Sequence, residues 1–199
     1  MEVQDIRKIG VVGCGLMGAG IIELCSRAGF EVVAREINTG CLEKGLNNVF
    51  KSMAKAVEKA KLTQEEMDGA RSRITGTLNL ADMADCDVVI EAAVENMALK
   101  KEIFGELDKV CKPETLLASN TSSLSITEIA AATTRPDKVL GFHFFNPVTI
   151  MQLLEVVSGL MTSAESLALA RGLGEKLGKT VVSAKDRPGF IVNLLLIPY

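Results

Sequence analysis

The stretch "GVVGCGLMGAG", residues 10–20, constrains this chain more than any other. It lies between an apolar run and a helical pattern, and it places Gly13, Gly15 and Gly18 in a Gly-x-Gly-x-x-Gly turn, with Leu16 and Met17 inside the turn. In such a turn the first glycine permits the tight bend and the second leaves the backbone open to a pyrophosphate. The third lets the following helix pack closely on the strand, with its N-terminus facing the phosphates. Glycine-rich turns are common, so the context decides. The next apolar run, "EVVARE", ends in Glu36, eighteen residues after Gly18, where a carboxylate is placed to take the two ribose hydroxyls of a dinucleotide. That charge repels a 2′-phosphate and favours NAD over NADP. Arg35, beside it, either faces the adenine or offsets part of the charge.

The rest of the chain continues the alternation. "KIGVVG", "EVVARE", "DVVIEA", "TLLAS", "KVLGFHF" and "LLEVV" read as strands, separated by amphipathic or Ala/Leu-rich stretches. Continuous apolar strands are buried on both faces, which predicts a Rossmann-like α/β fold: a doubly wound, mainly parallel sheet between helices. The crossover from Ile37 to about Ile74 is too long for one helix and reads as an inserted helical hairpin, its second helix capped by Thr63 with Glu66 completing a capping box. In its first helix Leu42, Leu46, Val49, Phe50, Met53 and Val57 form a core-facing stripe. Lys51, Lys55 and Lys59 recur on another face, as either a solvated surface or a hold for a phosphate-rich ligand. The tail "DRPGFIVNLLLIPY" breaks at Pro-Gly and then runs apolar to Tyr199. It reads as the first helix of a second domain that is otherwise missing, which divides the chain into residues 1–186 and 187–199. The other reading is a terminal helix packed back on the first domain.

The charge balance excludes some functions. Twenty-two basic against 25 acidic residues give a net charge of −3, which offers no global attraction to nucleic acid or an anionic membrane. The start carries no leader pattern and no apolar run is long enough to span a bilayer, so a cytoplasmic location is expected. Cys14, Cys25, Cys41, Cys86 and Cys111 are odd in number and scattered, against both a disulfide framework and a metal site.

Chemistry gathers in the second half. His143 is the only histidine, set in "GFHFFNP" at the end of an apolar strand. It is either a proton acceptor near neutral pH or a hydrogen-bonded core residue. "LLASNTSSLSI" places Asn120 to Ser123 at the carboxyl end of the preceding strand, the edge where open α/β sheets bind ligands, although such residues also cap helices. Glu155 stands inside the apolar "MQLLEVV", where an unpaired carboxylate is costly. If the strands around residues 143 and 155 form an antiparallel hairpin, both lie symmetrically about Thr149 and face each other. A carboxylate there holds one imidazole nitrogen and leaves the other to take a proton. A solvated glutamate on an edge strand is the alternative.

Taken together, "GCGLMGAG", "EAAVEN" (91–96), "SNTSSLSITEIA" (119–130), "GFHFFNPV" (141–148) and "RPGFIVN" (187–193) resemble the 3-hydroxyacyl-CoA dehydrogenases, especially the bacterial 3-hydroxybutyryl-CoA branch. The resemblance runs from about Arg7 to Tyr199. It implies NAD as cofactor, a short-chain acyl-CoA thioester as substrate, His143 as general base and Glu155 as its orienting partner. It further implies that Ser122 and Asn193 bind the C3 oxygen, that Asn146 lines the nicotinamide end and that Asn120 contacts the cofactor. Glu95 and Lys100 would contact the cofactor's ribose and phosphates, and Lys55 and Lys59 the phosphorylated end of CoA. Members continue into a helical domain that makes a homodimer. Leu194 departs from the basic or small residue that many members carry after the asparagine. Two alternatives remain: a dinucleotide-binding protein without turnover, and the free 3-hydroxyacid dehydrogenases, whose lysine base has no counterpart in the Ser/His/Glu set here.

Overall fold

The computed structural model describes residues 1–196. Eight strands among them form one sheet: β1 (Lys8–Val12), β2 (Glu31–Arg35), β3 (Ile74–Thr77), β4 (Val88–Glu91), β5 (Leu116–Ser119), β6 (Val139–Phe144), β7 (Leu153–Ser158) and β8 (Thr180–Lys185). Their spatial order is β3-β2-β1-β4-β5-β6-β7-β8. All neighbours are parallel except β6 and β7, which are antiparallel. The order reverses between β1 and β4. Strands on either side of that point send their crossovers to opposite faces, which opens a crevice at the carboxyl edge.

The central strands β1, β4, β5 and β6 are buried almost throughout, as expected for a sheet covered on both faces. One core cluster joins Ile9, Val11, Ile90, Phe142 and Phe144 to Ile21 and Ile22 of α1 (Leu16–Arg27) and Leu173 of α6 (Ala164–Lys176). A second, on the other face, joins Val12, Val89, Leu117 and Val157 to Phe104 of α4 (Met97–Val110) and Ile129 of α5 (Ile126–Ala130).

The six expected strands are present, and two more were not anticipated, β3 and β8. Both are edge strands, part exposed along most of their length, so neither carries the continuous apolar run that marks the centre of the sheet. The expected hairpin is α2 (Thr39–Glu58) and α3 (Gln64–Ser72). Thr63 Oγ1 accepts from Glu66 N–H at 3.1 Å, and Glu66 Oε2 accepts from Thr63 N–H at 2.8 Å, completing the capping box. Val49 and Met53 are buried, while Leu42, Leu46, Phe50 and Val57 pack on the core from its margin.

After β8 the chain doubles back over the face that carries α5, and the described residues close with α7 (Val192–Leu196), whose Leu194, Leu195 and Leu196 are exposed. Asp186 secures this return, its carboxylate accepting from Ser125 Oγ, Ile126 N–H and Thr127 N–H at 2.8–2.9 Å. The expectation of a helix through to Tyr199 extends to residues outside the described ones.

Candidate active site

The glycine turn sits on the crevice between β1 and β4. Gly13 has φ +95°, a conformation that side chains disfavour, and its N–H donates to Arg35 O at 2.9 Å. A Cβ on Gly18 would lie 1.8 Å from Gly13 O, so the helix closes on the turn only because that position is bare. A Cβ on Gly15, the residue preceding α1, would meet nothing within 4 Å. Leu16 follows it and is exposed, while Met17 is half buried.

Glu36 turns its carboxylate into the turn, Oε1 accepting from Cys14 N–H at 2.7 Å and Oε2 from Ile37 N–H at 3.0 Å. Beside it opens a cavity of about 340 Å³ lined by Gly13, Gly15, Glu36, Ile37, Val94 and Leu99. Ile37 and Val94 are 73% and 68% exposed, apolar walls of a slot suited to an adenine. Arg35 also lines it, and its buried Nε has no hydrogen-bond partner. An orphaned donor, an apolar slot and a bare turn at a helix N-terminus together fit the adenosine and pyrophosphate of a dinucleotide. A larger hollow, about 640 Å³, lies by the outer strands among opposed charges such as Lys8, Arg73, Asp82 and Asp85, and none of these turn and slot residues lines it.

A buried ionic network underlies the middle of the crevice. Glu91 ends β4 fully buried, accepting from Ala93 N–H at 2.7 Å, Lys100 Nζ at 2.6 Å and Ser119 Oγ at 2.7 Å. Glu95 Oε2 lies 3.5 Å from Lys100 Nζ, and its Oε1 accepts from the N–H and hydroxyl of Ser122, at 3.0 and 3.3 Å. Burial raises the Glu95 carboxyl, but hydrogen bonds from Thr121 and Ser122 and the Lys100 ammonium outweigh it, leaving the group below its ordinary value. The resemblance implies that Lys100 contacts the cofactor. In the structure Lys100 is 1% exposed and held between the carboxylates of Glu91 and Glu95. Glu91 escaped the sequence reading, though the signal was there: a carboxylate closing a fully apolar strand, the same cue that singled out Glu155.

At the reacting end, the register pairs His143 with Glu155 across β6 and β7, the symmetry about Thr149 that the hairpin implied. His143 Nδ1 lies 2.7 Å from Glu155 Oε2, both groups buried. A carboxylate oxygen accepts, so Nδ1 carries the hydrogen, and no hydrogen bond among the described residues engages Nε2. Glu155 Oε1 also accepts from Ile191 N–H at 3.1 Å and Val192 N–H at 3.0 Å. One residue on, Asn193 Nδ2 donates to Ser122 O at 3.2 Å. The β6–β7 hairpin and two segments distant from it in sequence thus bring His143, Glu155, Ser122 and Asn193 together. Asn120 ties two strand ends, its Oδ1 accepting from Phe144 N–H at 3.0 Å, and Asn146 is exposed just past β6.

The lysine row divides. Lys55 and Lys59 line a cavity of about 420 Å³ with Arg27, Lys61 and Thr149, whereas Lys51 does not. All five cysteines are free, Cys41 alone exposed. Burial pushes the thiols of Cys14, Cys25 and Cys86 up to about 12 and that of Cys111 to about 11. Among the described residues no group of His, Cys, Asp and Glu has the makings of a metal site, and no helix is long and apolar enough to cross a membrane.

A switch-point crevice with a glycine turn, beside a carboxylate-held imidazole, defines the class: an NAD-binding domain of the dehydrogenase type. Comparison with known proteins narrows it. The family model described as 3-hydroxyacyl-CoA dehydrogenase, NAD binding domain, matches residues 8–187, and the chain belongs to that family. It is 47% identical over 195 residues to a probable 3-hydroxybutyryl-CoA dehydrogenase of Bacillus subtilis, covering 98% of this chain and 68% of the relative. Among solved structures, FadB2 of M. tuberculosis superposes with a TM-score of 0.96 at 47% identity, covering 98% of this chain and 69% of that one. The (S)-3-hydroxybutyryl-CoA dehydrogenase of Ralstonia eutropha gives 0.95 at 42% identity, covering 97% and 68%. The chain therefore spans about two thirds of the length of these relatives.

Proposed function

We propose that this chain interconverts 3-hydroxyacyl-CoA and 3-oxoacyl-CoA thioesters with NAD, acting on short chains such as 3-hydroxybutyryl-CoA and acetoacetyl-CoA. The observation that carries the reading is the buried 2.7 Å contact between His143 Nδ1 and Glu155 Oε2, which leaves Nε2 as a free acceptor. In the oxidative direction Nε2 takes the proton of the 3-hydroxyl, and the Glu155 carboxylate stabilises the imidazolium that forms. NAD, when bound, supplies the acceptor for the hydride leaving C3. The hydroxyl of Ser122 and the amide of Asn193 steady the C3 oxygen as its charge changes. Asn146 flanks the nicotinamide end, with Asn120 holding the strand ends beside it. Gly13, Gly15, Leu16, Met17 and Gly18 receive the pyrophosphate, Glu36 the adenosine ribose, and Glu95, braced by Lys100, the middle of the cofactor. Lys55 and Lys59 hold the phosphates of CoA.

In this reading residues 1–186 form the NAD-binding domain and residues 187–199 open a helical second domain. Homodimerisation belongs to that second domain, and a cytoplasmic location accords with five free thiols. The test is NADH consumption with acetoacetyl-CoA and, separately, with free acetoacetate. Turnover of the thioester well above that of the acid is expected. NADH binding without turnover of either substrate defeats the catalytic reading and leaves a binding domain.

A further inference from the structure

We propose that Phe190 is a positioning residue for His143: its ring, aimed by a backbone clamped to Glu155, fixes the imidazole and keeps water from the imidazole–carboxylate pair. This rests on the reading of His143 as the proton acceptor. By sequence Phe190 is an unremarked apolar residue after a Pro-Gly break. Three features of its setting go beyond core filling.

The first is backbone conformation. Phe190 has φ +49°, a region that bulky side chains rarely enter, and it follows Gly189 at φ +77°. Such a conformation persists only where the surroundings over-determine it. Here Phe190 N–H donates to Arg187 O at 2.8 Å and Leu194 N–H to Gly189 O at 2.9 Å, while the next two N–H groups, of Ile191 and Val192, both end on Glu155 Oε1. The second is where the conformation sends the ring. Phe190 is 3% exposed, its centroid 5.7 Å from that of His143 at an interplanar angle of 62°. Phe145 lies 4.5 Å from the same imidazole at 50°, so two aromatic rings flank it. The third is economy of donors. Glu155 is 0% exposed and its two oxygens are met by the imidazole Nδ1–H and two backbone N–H groups. Water admitted beside it would compete for the oxygen that holds the imidazole. The segment that seats the ring is also the one that supplies the donors, so the base is assembled only when residues 189–193 are docked.

The test uses the fact that His143 is the only histidine. With 15N-labelled protein, one pair of imidazole nitrogen signals reports the tautomer directly, with or without turnover. In the parent protein the neutral ring shows the Nδ1–H tautomer alone. In Phe190→Ala the signals move toward a tautomer mixture. The kcat for acetoacetyl-CoA reduction falls about 10- to 100-fold while KM stays within about twofold. Phe190→Leu, which refills much of the volume without a ring, changes the same signals in the same direction by less, and it carries the test if circular dichroism shows Phe190→Ala unfolded. Imidazole signals identical to the parent in every folded variant overturn the proposal. Signals that move in a protein whose parent shows no turnover uphold the positioning and defeat the proton-acceptor reading instead.

Discussion

The crevice between β1 and β4 and the reacting site on β6 and β7 are built in opposite ways. In the crevice the glycine turn, the start of α1 and Glu36 come from residues 13–36, and the turn presents backbone groups whose geometry the local sequence dictates. At the reacting site nothing is local except the hairpin. His143 and Glu155 are 12 apart, Glu155 and Ile191 are 36 apart, and Ser122 and Asn193 are 71 apart. A binding turn can be carried by a short segment, because an anion needs only converging N–H groups. A base needs a proton-holding partner, a dry setting and a substrate contact at once, and one segment does not supply all three.

The largest expected effect falls on the reacting site alone. His143→Ala should lower kcat by about 10²- to 10⁴-fold, the usual contribution of a positioned base, while NADH titration shows unchanged affinity. A loss of NADH binding in that variant breaks the separation between the two regions.

Gly18→Ala is the converse. The added methyl collides with Gly13 O, and overpacking at such a site costs about 1–3 kcal/mol. Thermal unfolding should register it, with NADH binding weakened more than stability, while the histidine signals keep their positions. Unchanged NADH affinity shows that the turn has room to adjust.

Asp186 tests the long-range construction. Burial raises its carboxyl, but hydrogen bonds from Thr127, Ile126 and Ser125 prevail and hold it below its ordinary value. A group lowered in the folded state stabilises fully above its unfolded value, about 3.9, and that contribution is lost as pH falls through the folded value. Asp186→Asn should therefore cost about 0.5–2 kcal/mol at neutral pH, the range for losing a helix cap, and the difference from the parent should close in denaturant melts below about pH 4. A difference that stays constant with pH shows that the charge is not what secures the return of the chain.

Lys55→Ala and Lys59→Ala should leave both regions intact. KM for acetoacetyl-CoA rises by about fivefold for each, about 1 kcal/mol, with kcat steady and the effect fading at high salt. An equal rise for Lys51→Ala, whose side chain is off the cavity, dissolves the assignment.

Legibility follows the same divide. The turn, the six apolar strands, the capping box at Thr63 and the facing of His143 and Glu155 could all be read, the last because an antiparallel hairpin maps residues by simple symmetry. Strands β3 and β8 could not, since an edge strand needs no continuous apolar run. Nor could the burial of Lys100, whose partners Glu91 and Glu95 look in sequence like any acidic neighbours.

By itself the sequence determined the alternation of elements, the dinucleotide turn and the pairing across the hairpin, because glycine tolerance, apolar burial and strand symmetry act over a few residues. Only the tertiary structure decided which groups are spent on one another: Lys100 on two carboxylates, Asp186 on the start of α5, and Glu155 on both a histidine and the returning chain. Those choices depend on which buried donors arrive beside which acceptors, and pairs far apart in the chain leave no local trace of meeting.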